Sequence, residues 1–154
     1  MFHFRGLQAN SFAAYFAMSG AELAAQGTHI MIADEKPGFP CRVSLADAEL
    51  GERVLLLNFE HQPARSPYRA TGPIFVREAA LEPYDGAEVP PALRPRLLSL
   101  RAYDEAGMMV DADVAEGSQI EGLLERLFAR IDTAYVHVHY ARRGCYAALV
   151  ERDS

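Results

Sequence analysis

Apolar and polar residues alternate along much of the chain with the period of two that marks strands, and the spacing turns helical only towards the two ends. Residues 2–7 read as a first strand. Ser11 opens a helical turn with Phe12, Tyr15 and Phe16 on one face, and Ser19 with Glu22 forms a capping box for a short helix that Gly27 ends. Strands are predicted at 29–34 and, beyond the stiff turn Lys36-Pro37-Gly38-Phe39-Pro40, at 41–45. Residues 47–52 turn again. The stretch 53–62 carries Val54-Leu55-Leu56-Leu57, apolar on both faces, which predicts a central strand covered on two sides.

Residues 63–73 contain Pro63, Pro67 and Pro73 and predict a loop, 74–78 a strand, and 79–96, with Pro83, Pro90, Pro91 and Pro95, an irregular surface linker. Residues 97–104 and 108–114 pair as a hairpin around Asp104-Glu105-Ala106-Gly107. In its second arm Met108, Val110, Ala112 and Val114 alternate with Met109, Asp111 and Asp113, which predicts one wet face. Ile120, Leu123, Leu124, Leu127, Phe128 and Ile131 keep helical spacing over 119–131, with Ser118 and Glu121 as a capping box and Arg126 and Arg130 towards the negative end of the dipole. A final hairpin joins 134–141 to 145–151 through Arg142-Arg143-Gly144. The pattern is an α+β fold: a mostly antiparallel β-sheet, in two layers or curled as a half-barrel, with one long helix near the C-terminus and short N-terminal helices. Its 154 residues, half of them apolar, suit a single domain over 1–154.

Charge narrows the partners. The formal net charge is −6, and the fourteen Arg and one Lys are scattered except at Arg142-Arg143, so no basic stripe is present for a nucleic-acid backbone. Gln8, Asn10 and Ser11 break the apolar start, so it reads as packing elements and not as a signal peptide, and no membrane partner is expected. Cys41 and Cys145 stand far apart, as neither a disulfide framework nor a metal knuckle, which fits a reducing, cytoplasmic setting. The oligomeric state is open, a homodimer included.

The candidate chemistry gathers at the end of the chain. His137 and His139 leave the same face of a strand, with α-carbons about 6.6 Å apart. If Gly144 takes the left-handed conformation, Ala141 faces Cys145, and Cys145 joins the histidine face while Val136, Val138, Tyr140 and Tyr146 take the other. His61 is a candidate third imidazole for a divalent metal such as zinc, which wants three or four N, S or O ligands. Three readings stay open: a metal site of His61, His137 and His139; a nucleophilic Cys145 activated by nearby Arg and His; and histidines that only fill the sheet. Ser66, Tyr68 and Arg69 sit on a proline-stiffened loop and, with Arg42, Arg77 and Cys41, are candidate binding groups for a small anionic molecule. The bland alternative pairs those arginines with Asp47, Glu60 or Glu78.

The run Pro37-Gly38-Phe39-Pro40-Cys41-Arg42-Val43-Ser44-Leu45, with Asp47-Ala48, Gly51-Glu52, His61, Ser66-Pro67-Tyr68-Arg69 and Gly72-Pro73-Ile74-Phe75-Val76-Arg77-Glu78, resembles a bacterial family catalogued as domain of unknown function 1203. His137-Val138-His139 and Gly144-Cys145-Tyr146 are similar to that family's ending, although the family tends to carry Asn where this chain has Tyr140. The resemblance implies a small protein of about this length and supplies no activity. The expectation is therefore an uncharacterised protein, either an enzyme for a small anionic molecule or a non-catalytic binding module.

Overall fold

In chain order the strands are β1 (Phe2–Arg5), β2 (His29–Ile32), β3 (Arg53–Gln62), β4 (Ala70–Arg77), β5 (Asp85–Gly86), β6 (Leu97–Tyr103), β7 (Met109–Glu116), β8 (Tyr135–Tyr140) and β9 (Tyr146–Arg152). The helices are α1 (Gly20–Ala25) and α2 (Ile120–Phe128). They come from a computed structural model that describes residues 2–153. Two sheets form, a six-stranded one in the order β5-β1-β9-β8-β6-β7 and a three-stranded one in the order β2-β3-β4, and the pairing within both is antiparallel. No helix among the described residues is long and apolar enough to cross a membrane.

The alternation of β6 and β8 decides where the main core lies. Leu98, Leu100 and Ala102 of β6 and Val136 and Val138 of β8 point to one face and are closed over by Ile120, Leu124 and Leu127 of α2, all fully buried. Ser99, Arg101, Tyr103, His137 and His139 are left to the opposite face. In the smaller sheet β3 is central, as its two apolar faces require: Leu55 and Leu57 pack against Phe12, Ile74 and Val76, while Val54 packs with Ala33, Phe39 and Ala48. Pro73, which cannot donate to a ladder, is accommodated because β4 is an edge strand.

Several expected elements end differently. Residues 41–45 do not form a strand; they thread between the sheets through isolated pairs such as Cys41 with Phe75, and Leu45 takes a positive φ of 54°. The capping box at Ser19 and Glu22 forms, but the one at Ser118 does not, because Ser118 lies inside a 3-10 turn, Gly117–Gln119, and the helix starts from Gln119; Glu121 pairs with Arg94 instead. The 79–96 segment is no surface linker. It is irregular apart from β5, yet Ala92 and Leu93 are fully buried in or beside the main core. In β7 a register shift opposite Ala102 and Tyr103 disturbs the expected faces: Asp113 turns to Arg126 of α2, and Val114 is exposed.

The C-terminal helix stops at Phe128, short of Ile131. Arg152 donates Nη2 to the carbonyls of Phe128 (2.6 Å) and Arg130 (2.9 Å), satisfying groups that a further helical turn would have used. Ile131 is 99% exposed. Replacing it should therefore be nearly silent. Ile131→Asn is expected to move the denaturant midpoint by no more than about 0.5 kcal/mol of stability, whereas Leu127→Ala should cost roughly 2–5 kcal/mol; comparable losses in the two would restore the longer helix.

Candidate functional site

The site lies on the face of the six-stranded sheet away from α2, where the end of β3 reaches β8. A register irregularity in β3–β4 between Phe59 and Gln62 turns His61 towards β8. Its ring centroid is then 5.1 Å from that of His139 and 6.4 Å from that of His137. Each of the three imidazoles offers one ring nitrogen to a common point, the three atoms lying within 4.8 Å of one another.

Tyr146 completes the cluster from a position opposite to the expected one. A register shift at Val138/His139 sets Tyr146 across from His139, so its ring stacks on His61 at 5.3 Å and 9° and meets His137 edge-on at 5.1 Å. Cys145 moves the other way. Gly144 does adopt a positive φ, 81°, but Cys145 packs with the α2-side core, where its sulfur accepts from Arg42 Nη2 at 3.1 Å. The expected grouping of Cys145 with the histidines is thereby corrected: the shift exchanges Cys145 for Tyr146.

Burial sets the electrostatics. His139 and His137 are 1% and 5% exposed. Desolvation, with smaller contributions from His139, His61 and Arg101, pushes His137 down to about 3; desolvation, opposed by the Gly144 carbonyl and aided by Arg101, His61 and Arg42, pushes His139 down to about 4. Burial and Arg101 lower half-buried His61 as well. All three are neutral at pH 7, the form that ligates metals. The Gly144 carbonyl lies 3.0 Å from His139 Nδ1, which places the proton there and leaves Nε2 as the lone pair, 3.5 Å from Arg101 Nη1. The Nδ1 atoms of His61 and His137 are buried without any hydrogen-bond partner. Orphaned ring nitrogens of this kind are uncommon in folded proteins.

A tetrahedral ion with bonds of 2.0–2.1 Å needs its nitrogens about 3.4 Å apart, so small side-chain rotations bring this trio to bonding distance. Arg101, which the sequence reading passed over, is the cation beside it, paired across the sheet with His137. Tyr103 and Tyr135 wall the other side, their centroids 5.1 and 5.2 Å from His137.

The remaining candidates are held elsewhere. Arg69 pairs with Glu60 at 2.9 Å, Arg77 with Glu52 at 2.9 Å, and Arg42 is buried against backbone carbonyls and Cys145, so the three arginines do not converge into one clamp. Ser66 donates to the Gly107 carbonyl and accepts from Tyr68, tying the proline loop to the β6–β7 turn. The Tyr68 ring meets Tyr103 edge-on at 6.2 Å, at the outer end of the aromatic wall. Cys41 is fully buried, its sulfur accepting from the backbone N–H groups of Val43 and Arg77.

A family model described as Protein of unknown function (DUF1203) matches residues 38–152. The chain belongs to that family. The DUF1203 match includes His61, Arg101, His137, His139 and Cys145 and leaves out β1 and α1. No curated protein and no solved structure matches the chain.

Proposed function

We propose that this DUF1203 chain binds one divalent transition-metal ion through His61, His137 and His139 and uses it on a small anionic molecule. The supporting observation is the convergence of three neutral imidazoles from two sheets, two of them with an orphaned buried nitrogen. Imidazole donors suit zinc, copper or nickel better than magnesium or calcium. Three protein ligands leave a position open, and an ion there would supply Lewis acidity. With three neutral ligands the site would keep its full positive charge, to which Arg101 adds another, so the fitting co-ligand is an anion. The Gly144 carbonyl orients His139, while Tyr103, Tyr135 and Tyr146 keep the ligands out of bulk water. Two free cysteines are in keeping with a reducing, cytoplasmic location.

The cavities that flank Arg152, one against Phe2 and Phe128 and the other against Ile131 and Asp132, are not lined by the histidines. Elemental analysis tests the core of the proposal. Protein purified without chelator should carry close to one equivalent of zinc, copper or nickel, and the His137→Ala/His139→Ala double variant should carry none. Zinc at roughly a thousand times its Kd should stabilise the metal-free wild type by about 4 kcal/mol. Arg101→Ala should keep the metal but lose the added stabilisation by phosphate. Metal-free protein whose melting is unmoved by zinc, copper and nickel would leave the histidines as packing residues.

A further inference from the structure

Behind the histidine face, where residues 40–47 thread between the sheets, Arg42 is buried, 1% exposed, without a carboxylate partner among the described residues. Asp47, on the same segment, is engaged by Arg96 through hydrogen bonds of 2.9 and 2.7 Å. A guanidinium keeps its proton in proteins, so this is a buried charge answered by dipoles and by the face of the Tyr140 ring, 5.0 Å away. An apolar side chain of similar size would fill the space at lower cost, so packing does not account for the residue. Its hydrogen bonds do. Nε donates to the Tyr146 carbonyl at 2.7 Å, Nη1 to the Pro40 carbonyl at 2.5 Å and Nη2 to the Cys145 sulfur at 3.1 Å. Two of these three acceptors are consecutive residues of β9 and the turn before it.

The backbone that Arg42 grips is the part of the chain that builds the histidine cluster. β1 pairs with β9 from Arg152 back to Leu149, so Tyr146 lies beyond the strand that borders β9 on that side. Arg42 follows β1 there: its carbonyl accepts from the Leu7 N–H at 2.8 Å, and its side chain supplies the donor for Tyr146. Opposite β8, the register shift at Val138/His139 sets Tyr146 across from His139. The Tyr146 ring, 3% exposed, stacks on His61 at 5.3 Å and meets His137 and His139 edge-on at 5.1 and 5.9 Å. One ring therefore braces all three imidazoles. The Gly144 carbonyl, two residues earlier, accepts from His139 Nδ1 at 3.0 Å. Both contacts that orient the ligands come from the short stretch that Arg42 holds.

Resting on the metal reading above, we propose that Arg42 is a positioning residue for that centre: by holding the Cys145–Tyr146 backbone it sets the Tyr146 ring against the three imidazoles, and with it the affinity and geometry of the bound ion. Groups that orient metal ligands from behind typically govern affinity by about 10–100-fold. The sign of the effect separates positioning from plain charge. Arg42 places positive charge close enough to His139 to disfavour its protonation. As a charge alone it would repel a divalent ion, and removing it would tighten binding. As a positioning group its removal weakens binding.

The test measures zinc affinity of the full chain by competition with a chromophoric chelator, and ligand geometry by the ligand-field absorption of cobalt(II) bound in place of zinc. Arg42→Met should raise the zinc Kd by about 10–100-fold and move the cobalt band. Tyr146→Leu, which removes the ring and leaves the backbone that Arg42 holds, should do the same. The double variant should be no more than about twofold weaker than the weaker single one, because the two residues act as a unit. Arg42→Lys keeps the charge without the fork and should fall between wild type and Arg42→Met; if Arg42→Met does not fold, Arg42→Lys and Tyr146→Leu decide. Leu127→Ala, on the α2 side of β8, should lose stability but keep the wild-type Kd and band. An unmoved cobalt band, a zinc Kd unchanged or lowered in the Arg42 variants, or an equal rise in Leu127→Ala overturns the positioning role and leaves the metal site standing. Wild-type protein that binds neither ion overturns the metal reading, and this role with it.

Discussion

Held metal-free by a chelator, the protein is expected to lose about 5 kcal/mol of stability between pH 7 and pH 4.5 and to unfold in mild acid. In the unfolded chain a histidine takes up its proton near pH 6.5. In the folded chain His137 resists protonation down to about 3 and His139 down to about 4. Between those limits the unfolded state binds more protons than the folded one, so stability falls as the pH falls from 6.5. Two groups over roughly two units each, at about 1.4 kcal/mol per unit, give the figure above. It is comparable to the whole stability of many domains of this size. Urea unfolding at intervals from pH 7.5 to 4.5 measures it, with His137→Phe/His139→Phe as the reference that lacks both groups. Parallel curves for wild type and reference would mean that the two imidazoles are protonated in the folded state. Bound zinc should move the acid limb to lower pH, because a ligated nitrogen cannot accept a proton.

The second large effect concerns a single methyl group. Gly117→Ala should cost about 3 kcal/mol or more, or prevent folding. A β-carbon there would stand 1.9 Å from the Leu93 carbonyl oxygen and 2.7 Å from that of Arg94. Both obstacles are backbone. The Gly117 N–H also donates to the Arg96 carbonyl at 2.8 Å, which fixes the distance between the two segments. Relief would move the start of α2 and with it Ile120, a fully buried part of the main core. Gly122→Ala on the same helix is the control. Its β-carbon would meet nothing, and the change should stabilise by up to about 1 kcal/mol through helix propensity alone. Equal denaturant midpoints for the two variants would refute the close approach.

Local pattern carried most of the strands and one side of the site. The alternation Val136-His137-Val138-His139 separates core from imidazole whatever β8 pairs with. The same alternation in β6 assigns Arg101 to a face with Ser99 and Tyr103, but which strand β6 borders is a long-range fact, so Arg101 could not be joined to His137 in advance. Cys145 and Tyr146 were exchanged by a register shift that leaves no mark in composition. The burial of Ala92 and Leu93 was hidden because prolines report irregular backbone, not exposure. Ile131 continued a helical spacing that the carbonyl-binding Arg152, more than twenty residues on, brings to a stop.

Strand β8 serves two interiors at once, the apolar one under α2 and the imidazole one under β3. A one-residue slip in the pairing register of β8 would send both histidines into the apolar side and both valines into the ligand cluster. The same slip would thus empty the metal site and spoil the main core. Selection for a packed core and selection for three converging imidazoles therefore act on the same reading frame of this strand. Length variation is admissible in loops outside β8, such as the proline loop at 63–69, but not within Tyr135–His139.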